Sequence, residues 1–239
     1  SVNEKTLALY RSKYPKIKDK LGFLPTWVDP DVFFPAEADK NVIRAGLRTV
    51  YPELPVSAKW VLFVGRLQEQ KAPLRLIETF GAFHRDEPSS VFILIAEGNL
   101  KAAAQNRAKE LSLESSVFFL GNKNQQELAQ YYRASDVLLL TSNFEGMPRC
   151  VLEALGSGLP VVTMRVGEVA LVMTNPGCGL IVDSFEPADL ALALKQVTAN
   201  VTEHTHAERL KAVSGFHPRT VLAPLYEKMR SLHNTPCRS

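Results

Sequence analysis

Short apolar segments alternate with helical patterns along most of the chain, and this alternation limits the fold more than any other feature of the sequence. Six segments have the pattern of buried strands, at 60–64, 91–96, 117–120, 136–140, 160–164 and 180–183. Helical patterns separate the first four strands, at 73–84, 101–111 and 125–132. Because strands and helices alternate, the sequence predicts an α/β fold with a doubly wound, Rossmann-like parallel sheet.

Two carboxylates, Glu145 and Glu153, stand with seven residues between them where the fourth strand leads into the next helix. Pro148 suits the first turn of that helix, because its missing N–H costs nothing there. Glu145 is therefore expected in the loop at the carboxyl end of the strand, and Glu153 about one and a half turns into the helix. With the backbone N–H groups of Gly146 and Met147, they could hold a polyol near a phosphate in the ligand crevice of the sheet. The structural alternative is a Glu145 that complements the helix dipole and a solvated Glu153.

A basic element follows the first predicted strand. Gly65 permits a tight turn at the strand end, and Arg66 and Lys71 precede the next helix, where they can neutralise a diphosphate. The alternative is a solvated basic loop, which would be preferred if the element stood alone. It lies about 80 residues before the glutamates with two strand–helix units between them, and this arrangement favours a phosphate site.

Residues 144–162 resemble the E-x7-E motif of the retaining family 4 glycosyltransferases, also called glycosyl transferases group 1. Both glutamates, the intervening Gly-x-Pro and the trailing G-x-G-x-P-V-V match that motif. The stretch from Gly65 to Lys71 is similar to the family's G-R-L-x-x-x-K element. The likeness is strong over about residues 55–200 and weak at the flanks. It implies the C-terminal donor-binding domain of a GT-B enzyme, one half of that architecture with flanking helices.

The resemblance implies transfer of a sugar from a nucleoside diphosphate sugar to an acceptor hydroxyl, with retention of configuration. In that scheme two basic residues bind the leaving diphosphate, one glutamate accepts the ribose hydroxyls and the other orients the transferred sugar. The predicted catalytic residues are Glu145, Arg66 and Lys71. The predicted donor-binding residues are Glu153, Gly65, Gly146, Met147, Gly121, Asn122 and Lys123. The last three would lie beside the nucleotide base, and their alternative is an ordinary strand-to-helix turn.

The resemblance implies no metal and no resident cofactor, because the two basic side chains can stabilise the diphosphate. Asp29 and Asp31 match the D-x-D pattern with which other glycosyltransferases hold a metal. Their surroundings are instead similar to the family's interdomain segment, so they are interpreted as turn and linker residues. His204 and His206 are two residues apart, which on a helix points them to different faces and argues against a metal pair.

Three regions are predicted: 1–45, a remnant of the N-terminal acceptor domain with the interdomain linker; 46–200, the donor-binding domain; and 201–239, C-terminal helices that cross back. Nearly all of the acceptor domain is therefore expected to be missing. Residues 2–20 are predicted to form its last helix, with a basic face that suits a membrane surface, an anionic acceptor or solvent. An amphipathic helix at 219–232, bent at Pro224, is expected to expose apolar surface.

Composition narrows the class of protein. The chain has 239 residues, 46% of them hydrophobic, which suffices for a sizeable core and argues against disorder. No apolar run reaches about 18 residues, so no membrane span is predicted, and a net charge of +3 is too small to indicate a nucleic-acid partner. Cys150, Cys178 and Cys237 are odd in number and widely separated, which favours a reduced cytoplasmic compartment, with peripheral contact at the inner face of the membrane as a variant. Cys150 is interpreted as a small packing residue.

Two other classes of function are weighed against the glycosyltransferase. A dinucleotide-dependent dehydrogenase would carry G-x-G-x-x-G after the first strand, but residues 65–70 are GRLQEQ. A non-catalytic nucleotide-sugar-binding module stays open, because the acceptor domain is expected to be missing. The expected partners of the enzyme are a nucleoside diphosphate sugar, a saccharide or lipid-linked acceptor, and the N-terminal domain. The family's usual work suggests surface polysaccharide or glycolipid synthesis.

Overall fold

A computed structural model describes residues 3–200 and 203–233 of the chain, and its centre is an all-parallel sheet. Within those residues the sheet has six strands: β1 Lys59–Arg66, β2 Ser90–Glu97, β3 Val117–Phe119, β4 Val137–Leu140, β5 Val161–Met164 and β6 Gly179–Val182. Their order across the sheet is β3-β2-β1-β4-β5-β6, and each neighbouring pair is parallel. The chain thus winds outward in both directions from β1 and β4, which confirms the predicted doubly wound sheet.

The described part of the chain forms these helices: α1 Glu4–Lys13, α2 Lys40–Leu47, α3 Pro73–Asp86, α4 Lys101–Glu110, α5 Gln125–Ala134, α6 Arg149–Gly156, α7 Val169–Val172, α8 Pro187–Ala199, α9 Glu203–Val213 and α10 Pro218–His233. Helix α3 packs against α4 and α8, whereas α5 packs against α2 and α6, and α6 against α9. These two groups form the two helical layers that cover the faces of a doubly wound sheet.

The core follows from the continuous apolar runs of the strands. Strands β2 and β4 are buried along nearly their whole length, because helices cover both faces of the sheet. Aromatic side chains fill the space between sheet and helices, and Phe80 of α3 stacks on Phe92 of β2 with ring centroids 5.2 Å apart. Gly179 begins β6 with φ +111°, and a Cβ there would lie 2.0 Å from the Val161 carbonyl oxygen. Only glycine fits so close to the neighbouring strand.

Local sequence signals set several helix boundaries. Helix α5 begins with a capping box. The backbone N–H of Glu127 donates to the Asn124 side chain, and the backbone N–H of Asn124 donates to the Glu127 side chain. Helix α3 has Pro73 in its first turn, where no N–H donor is lost. Helix α6 ends at Gly156, as expected from the glycines and proline that follow it. These signals explain why the predicted and observed elements agree closely in this region.

The prediction of one helix over residues 2–20 was wrong. Helix α1 ends at Lys13, and a short 3-10 helix follows at Pro15–Lys20. Tyr14 lies between them with φ −126° and ψ 66°, because the residue before a proline is disfavoured in the α-helical region. By contrast, α10 runs through Pro224 as one helix. Its exposed side chains include Leu225, Tyr226 and Met229, the apolar surface expected for this segment.

Helix α2 crosses the predicted boundary between residues 45 and 46, and its Arg44 is bonded to the sheet. Arg44 is 4% exposed. Its guanidinium donates to the carbonyl oxygens of Ala134, Val56 and Ala58 at 2.8, 2.8 and 2.9 Å. It also pairs with the Asp136 carboxylate at 2.7 Å. This network joins α2 to the amino-terminal side of β4. The helix is therefore packed as part of the sheet domain.

Several sequence predictions fall outside what the structure describes. Cys237 lies beyond the described residues, and the side chains of His204 and His206 are not described, so the expectations for them are untested. Within residues 3–200 and 203–233, no helix is long and apolar enough to cross a membrane.

Candidate functional site

The site lies at the carboxyl edge of the sheet, between β1 and β4, where the strand order reverses. The loops that follow these two strands are hydrogen-bonded to each other. Asn143 N–H donates to the Gln70 carbonyl oxygen at 2.8 Å, and the Gln70 side-chain amide donates to the Phe144 carbonyl oxygen at 3.1 Å. In open parallel sheets this switch point is where ligands bind.

Lys71 and Glu145, both predicted to be catalytic, form an ion pair across this switch point. The Lys71 ammonium lies 2.5 Å from Glu145 Oε1, and the Gln70 amide lies 3.4 Å from Oε2. The two charged side chains are 15% and 7% exposed, so the pair is largely removed from water. Glu145 is therefore held by side-chain partners and does not merely complement a helix dipole.

Gly65 and Arg66 do not form the turn predicted after the first strand, and that prediction was wrong. Both residues belong to β1, where they pair in register with Ala96 and Glu97 of β2. A Cβ at position 65 would lie 3.0 Å from the Phe63 ring, so glycine here allows that ring to pack closely and does not form a turn. The Arg66 side chain is exposed and has no hydrogen-bond or ion-pair partner among the described residues. Its guanidinium is free to meet an anion.

The backbone of the Glu145 loop is fixed from the neighbouring strand. Glu168 N–H, after β5, donates to the Gly146 carbonyl oxygen at 2.8 Å. Gly167 has φ +52°, and a Cβ there would lie 2.1 Å from that oxygen, so the loops can approach only because residue 167 is glycine. The N–H groups of Gly146 and Met147 donate to no acceptor in the described part of the chain. They remain available to a ligand.

Glu153 is a buried residue of α6, so the alternative of a solvated helix glutamate was wrong. It is 7% exposed; its Oε2 accepts a hydrogen bond of 2.9 Å from the Tyr132 hydroxyl, and its Oε1 lies 3.3 Å from the Arg149 guanidinium. Burial raises the pKa of the Glu153 carboxyl, and the Tyr132 hydrogen bond and the Arg149 charge oppose that rise. The donor-binding role of Glu153 stays a prediction.

The model of the family described as glycosyl transferases group 1 matches residues 52–212, more than half of the chain. The chain belongs to this family. A relative, the D-inositol 3-phosphate glycosyltransferase of Corynebacterium aurimucosum, is 32% identical over 190 residues. The alignment covers 77% of this chain and 44% of the relative. The matched part of the chain thus spans less than half the length of that glycosyltransferase.

Solved structures show the same fold as this group 1 chain. The sucrose-phosphate synthase of Thermosynechococcus elongatus superposes with a TM-score of 0.76 over 97% of this chain and 57% of its own, at 22% identity. Anabaena HepE, crystallised with UDP and glucose, gives a TM-score of 0.77 over 97% of this chain and 62% of its own, at 18% identity. The architecture is therefore the Rossmann-like fold of GT-B glycosyltransferases.

The loop of Gly121, Asn122 and Lys123 follows β3 at the same edge of the sheet. Gly121 has φ +69°, and a Cβ there would lie 3.2 Å from a carboxylate oxygen of Glu97, at the end of β2. The Lys123 ammonium donates to the Tyr51 hydroxyl at 2.6 Å and lies 5.0 Å from the centre of its ring. Lys123 is thus tied to the segment before β1, and the role of this loop beside a base stays a prediction.

No group of three or more histidine, cysteine, aspartate or glutamate side chains able to hold a metal occurs in residues 3–200 and 203–233. Asp29 and Asp31 have the predicted turn geometry. Asp29 accepts from the backbone N–H of Asp31 at 3.0 Å and from that of Phe33 at 2.9 Å. Asp29 therefore shapes this turn, and the linker role of the segment stays a prediction.

Arg75 supports the loops of the site, a contact that the sequence analysis did not predict. From the first turn of α3 its guanidinium donates to the Thr141 carbonyl oxygen and the Asn143 side chain, both at 3.0 Å. The Thr141 hydroxyl in turn donates to the Lys71 carbonyl oxygen at 3.2 Å. Arg75 thus holds the loops of both charged residues. An arginine placed one turn into the helix after the basic element was the available signal, but a solvated helix position explained it equally well.

Cys150 is buried on α6, beside the charged residues of the site. Its thiol is influenced electrostatically by Lys71, Glu153 and Glu145, but burial is the largest effect and raises its pKa to about 12. The thiol therefore stays protonated at neutral pH, as expected of a packing residue.

We expect Cys150 to resist alkylation in the folded chain. At pH 8 the thiolate fraction is about one in ten thousand, because the thiol pKa is about 12. Peptide mapping after iodoacetamide treatment should show Cys150 unmodified under native conditions and modified in denaturant. Rapid native labelling would contradict its burial and the packing interpretation.

Proposed function

We propose that this chain is the donor-binding half of a retaining, family 4 glycosyltransferase. It binds a nucleoside diphosphate sugar at the carboxyl edge of the sheet, and the sugar passes to an acceptor hydroxyl with its anomeric configuration kept. The observation that carries the proposal is the buried Lys71–Glu145 pair at the switch point. The exposed Arg66 lies at the end of β1, beside this pair. Gly146 and Met147, whose N–H groups have no acceptor in the described chain, lie in the loop of Glu145.

The diphosphate is bound by Arg66 and Lys71. An ammonium has three donors, so Lys71 can keep Glu145 as a partner and still donate to a phosphate oxygen. A guanidinium offers two parallel donors to a second phosphate oxygen pair, and Arg66 has no competing partner in the described chain. Helix α3 begins at Pro73, two residues after Lys71, and its N-terminus adds a favourable dipole for an anion.

The sugar and the ribose are held by the two carboxylates. Glu145, with the N–H groups of Gly146 and Met147, accepts from and donates to the hydroxyls of the transferred sugar, which orients its anomeric carbon. Glu153 accepts the ribose hydroxyls, because a carboxylate has about four acceptor positions and Tyr132 and Arg149 occupy two of them. The rigid placement of these groups holds the donor in one reactive geometry.

The transfer step breaks the bond between the anomeric carbon and the diphosphate oxygen, and forms a bond from that carbon to the acceptor oxygen. The proton of the acceptor hydroxyl passes to the leaving phosphate on the same face of the sugar, so no covalent nucleophile is required. Arg66 and Lys71 stabilise the negative charge that grows on the diphosphate. This division of work needs no resident cofactor.

Two related proteins suggest which donor and which acceptor to test first. Anabaena HepE was crystallised with UDP and glucose, and the Corynebacterium relative is named a D-inositol 3-phosphate glycosyltransferase. A uridine diphosphate sugar is therefore the first donor to test. We propose an acceptor hydroxyl on a polyol, saccharide or lipid-linked sugar, bound with a second, acceptor-binding domain, in cytoplasmic synthesis of a glycolipid or surface polysaccharide.

Calorimetric titration of the chain with UDP, GDP and ADP tests the donor site. We expect one of them to bind with or without magnesium, because two basic side chains supply the positive charge. Replacing Glu153 with alanine should weaken that binding about 10- to 100-fold, the cost of losing charge-assisted hydrogen bonds to the ribose. Glu110→Ala, which removes an exposed carboxylate of α4, is the matched control and should bind as the wild type does.

Absence of binding by all three nucleotides, or binding that Glu153→Ala leaves unchanged, would overturn the proposed donor site. Assays of sugar transfer and donor hydrolysis then separate the enzyme from a non-catalytic nucleotide-sugar-binding module. Turnover by this chain would exclude the module.

A further inference from the structure

Tyr132 is fully buried on α5, and its ring and hydroxyl face different partners. The ring packs edge-on against Phe33 with centroids 5.8 Å apart and an angle of 78° between planes. The hydroxyl donates to Glu153 Oε2 at 2.9 Å. Ring packing alone would be satisfied by phenylalanine, whereas the hydroxyl meets the one carboxylate that is buried in the helix behind the site.

We propose that Tyr132 is a positioning residue, whose hydroxyl holds the Glu153 carboxylate ionised and oriented to accept the vicinal ribose hydroxyls of the donor. This inference rests on the proposed function, and it adds a residue that makes no contact with the donor. Tyr132 has no exposed surface, so it acts only through Glu153.

The need for such a residue follows from the surroundings of Glu153. A carboxylate that is 7% exposed has lost most of its water, and removal from water favours the protonated form. A protonated carboxyl carries a donor of its own and accepts weakly, so it would bind two ribose hydroxyls poorly. A buried hydroxyl donor restores part of the lost stabilisation of the charge.

The other groups near Glu153 do not replace this donor. Arg149, one turn earlier on α6, lies 3.3 Å from Oε1, but its side chain is 56% exposed and is free to move. Cys150 on the same helix is a buried thiol, itself near Lys71 and Glu145 of the two loops. Tyr132 on α5 is the rigid partner. The pKa of Tyr132 itself is raised well above the ordinary tyrosine value by burial, so its hydroxyl keeps its proton and stays a hydrogen-bond donor at every working pH.

The test compares Tyr132→Phe with Tyr131→Phe in the full 239-residue chain. Tyr131 neighbours Tyr132 on α5 and is also buried, but its hydroxyl is directed to Tyr51 instead of Glu153. Each variant therefore loses one buried hydroxyl from the same helix. UDP-glucose, GDP-mannose and ADP-glucose are titrated calorimetrically into the wild type between pH 4 and 8, and the tightest binder is used for the variants. A sugar-linked diphosphate carries no titrating phosphate in this range, so at pH values above the adenine pKa the profile reports the protein.

In the wild type, binding is expected to weaken as the pH falls through the Glu153 pKa, which burial raises above the ordinary glutamate value of 4.5. Tyr132→Phe removes a donor to the charged form and should raise the pH midpoint by about one unit. At a pH above both midpoints, where the carboxylate is ionised in both proteins, the affinity should differ by less than at a pH between the two midpoints. Tyr131→Phe should keep the wild-type midpoint, even if its melting temperature falls equally.

A second measurement does not depend on either variant. This measurement is carbon NMR of the chain with tyrosine labelled at the ring ζ carbon. The Tyr132 resonance is assigned through its contact with the Phe33 ring. It should shift with the same pH midpoint as nucleotide-sugar binding, because protonation of Glu153 weakens the acceptor of its hydrogen bond. The Tyr131 signal should not follow that midpoint.

The outcomes separate the two proposals. If the wild type binds none of the three nucleotide sugars, the proposed function fails and this inference fails with it. If the wild type binds and Tyr132→Phe keeps the wild-type pH midpoint, or the Tyr132 signal is insensitive to that midpoint, the positioning role alone is overturned. If the role of Tyr132 were purely structural, Tyr132→Phe would lower the melting temperature and leave the pH midpoint of binding unchanged.

Discussion

Replacing Asp136 with alanine is expected to destabilise the fold by about 3 kcal/mol, because it leaves the Arg44 guanidinium buried without a counter-charge. The Asp136 carboxylate accepts from Arg44, Lys40 and the Trp60 backbone N–H, all at 2.7 Å. Three carbonyl oxygens still accept from Arg44 in the variant, so the loss should lie at the lower end of the range for a broken buried pair. Chemical denaturation of both proteins measures the difference.

The same carboxylate should give the chain a recognisable acid sensitivity. Burial would raise the pKa of Asp136, but the charges of Lys40 and Arg44, with hydrogen bonds from Lys40 and the Trp60 backbone N–H, outweigh it, so the net shift is downward. A lowered pKa in the folded state means that the ionised group stabilises the fold above its unfolded pKa of about 3.9. That contribution is lost as the pH falls through the lower folded pKa.

The variant Asp136→Asn tests this dependence, because the amide keeps the shape and cannot titrate. Its free energy of unfolding should be lower than that of the wild type at pH 7, and the gap should narrow as the pH falls below about 4. Asp183→Asn is the matched control, since Asp183 pairs with Arg165 at the surface and is 66% exposed. It should change stability little. A gap of constant size between pH 7 and 2 for Asp136→Asn would contradict the ion-pair argument.

The Asp136 network also marks the limit of what the sequence could predict about the fold. Strands such as β2 and β4 are continuous apolar runs that only a sheet covered on both faces can bury. Their pattern therefore predicts the parallel sheet and its two helical layers. The partner of Arg44, by contrast, lies 92 residues away in the chain. No local pattern reports such a contact, and a lone arginine in a short helix has the pattern of a solvated one. The sequence alone therefore could not predict that α2 packs as part of the sheet domain.

The candidate site divides in the same way. The meeting of Lys71 and Glu145 was predictable, because parallel strands bring the residues at their carboxyl ends to one edge. Gly65 was misinterpreted, since a glycine near a strand end indicates a turn unless the ring of Phe63 against it is known. Tyr132 was missed because an aromatic residue on the apolar face of a helix has the pattern of core packing. Only the position of its hydroxyl against Glu153 shows a second role.

Replacing Lys71 with methionine is expected to weaken nucleoside diphosphate binding about 10- to 100-fold, because one charge-assisted contact to the diphosphate is lost. The methionine side chain keeps most of the apolar length of lysine. Binding of the matching nucleoside, which carries no phosphate, should be nearly unchanged. The difference between the two ligands therefore reports the lost charge. Lys101→Met is the matched control, because Lys101 pairs with Glu97 at 2.7 Å at the end of β2. It should bind both ligands as the wild type does.

Lys71→Met alone could lower affinity through folding, because it leaves Glu145, 7% exposed, without its cation. The double variant Lys71→Met with Glu145→Gln separates the two causes. Removing both charges should restore most of the stability lost in the single variant, since no uncompensated charge stays buried. It should not restore diphosphate binding, because the phosphate contact needs a cation. Recovery of diphosphate affinity in the double variant would show that Lys71 serves only to neutralise Glu145, and the diphosphate would then have to be bound by Arg66 alone.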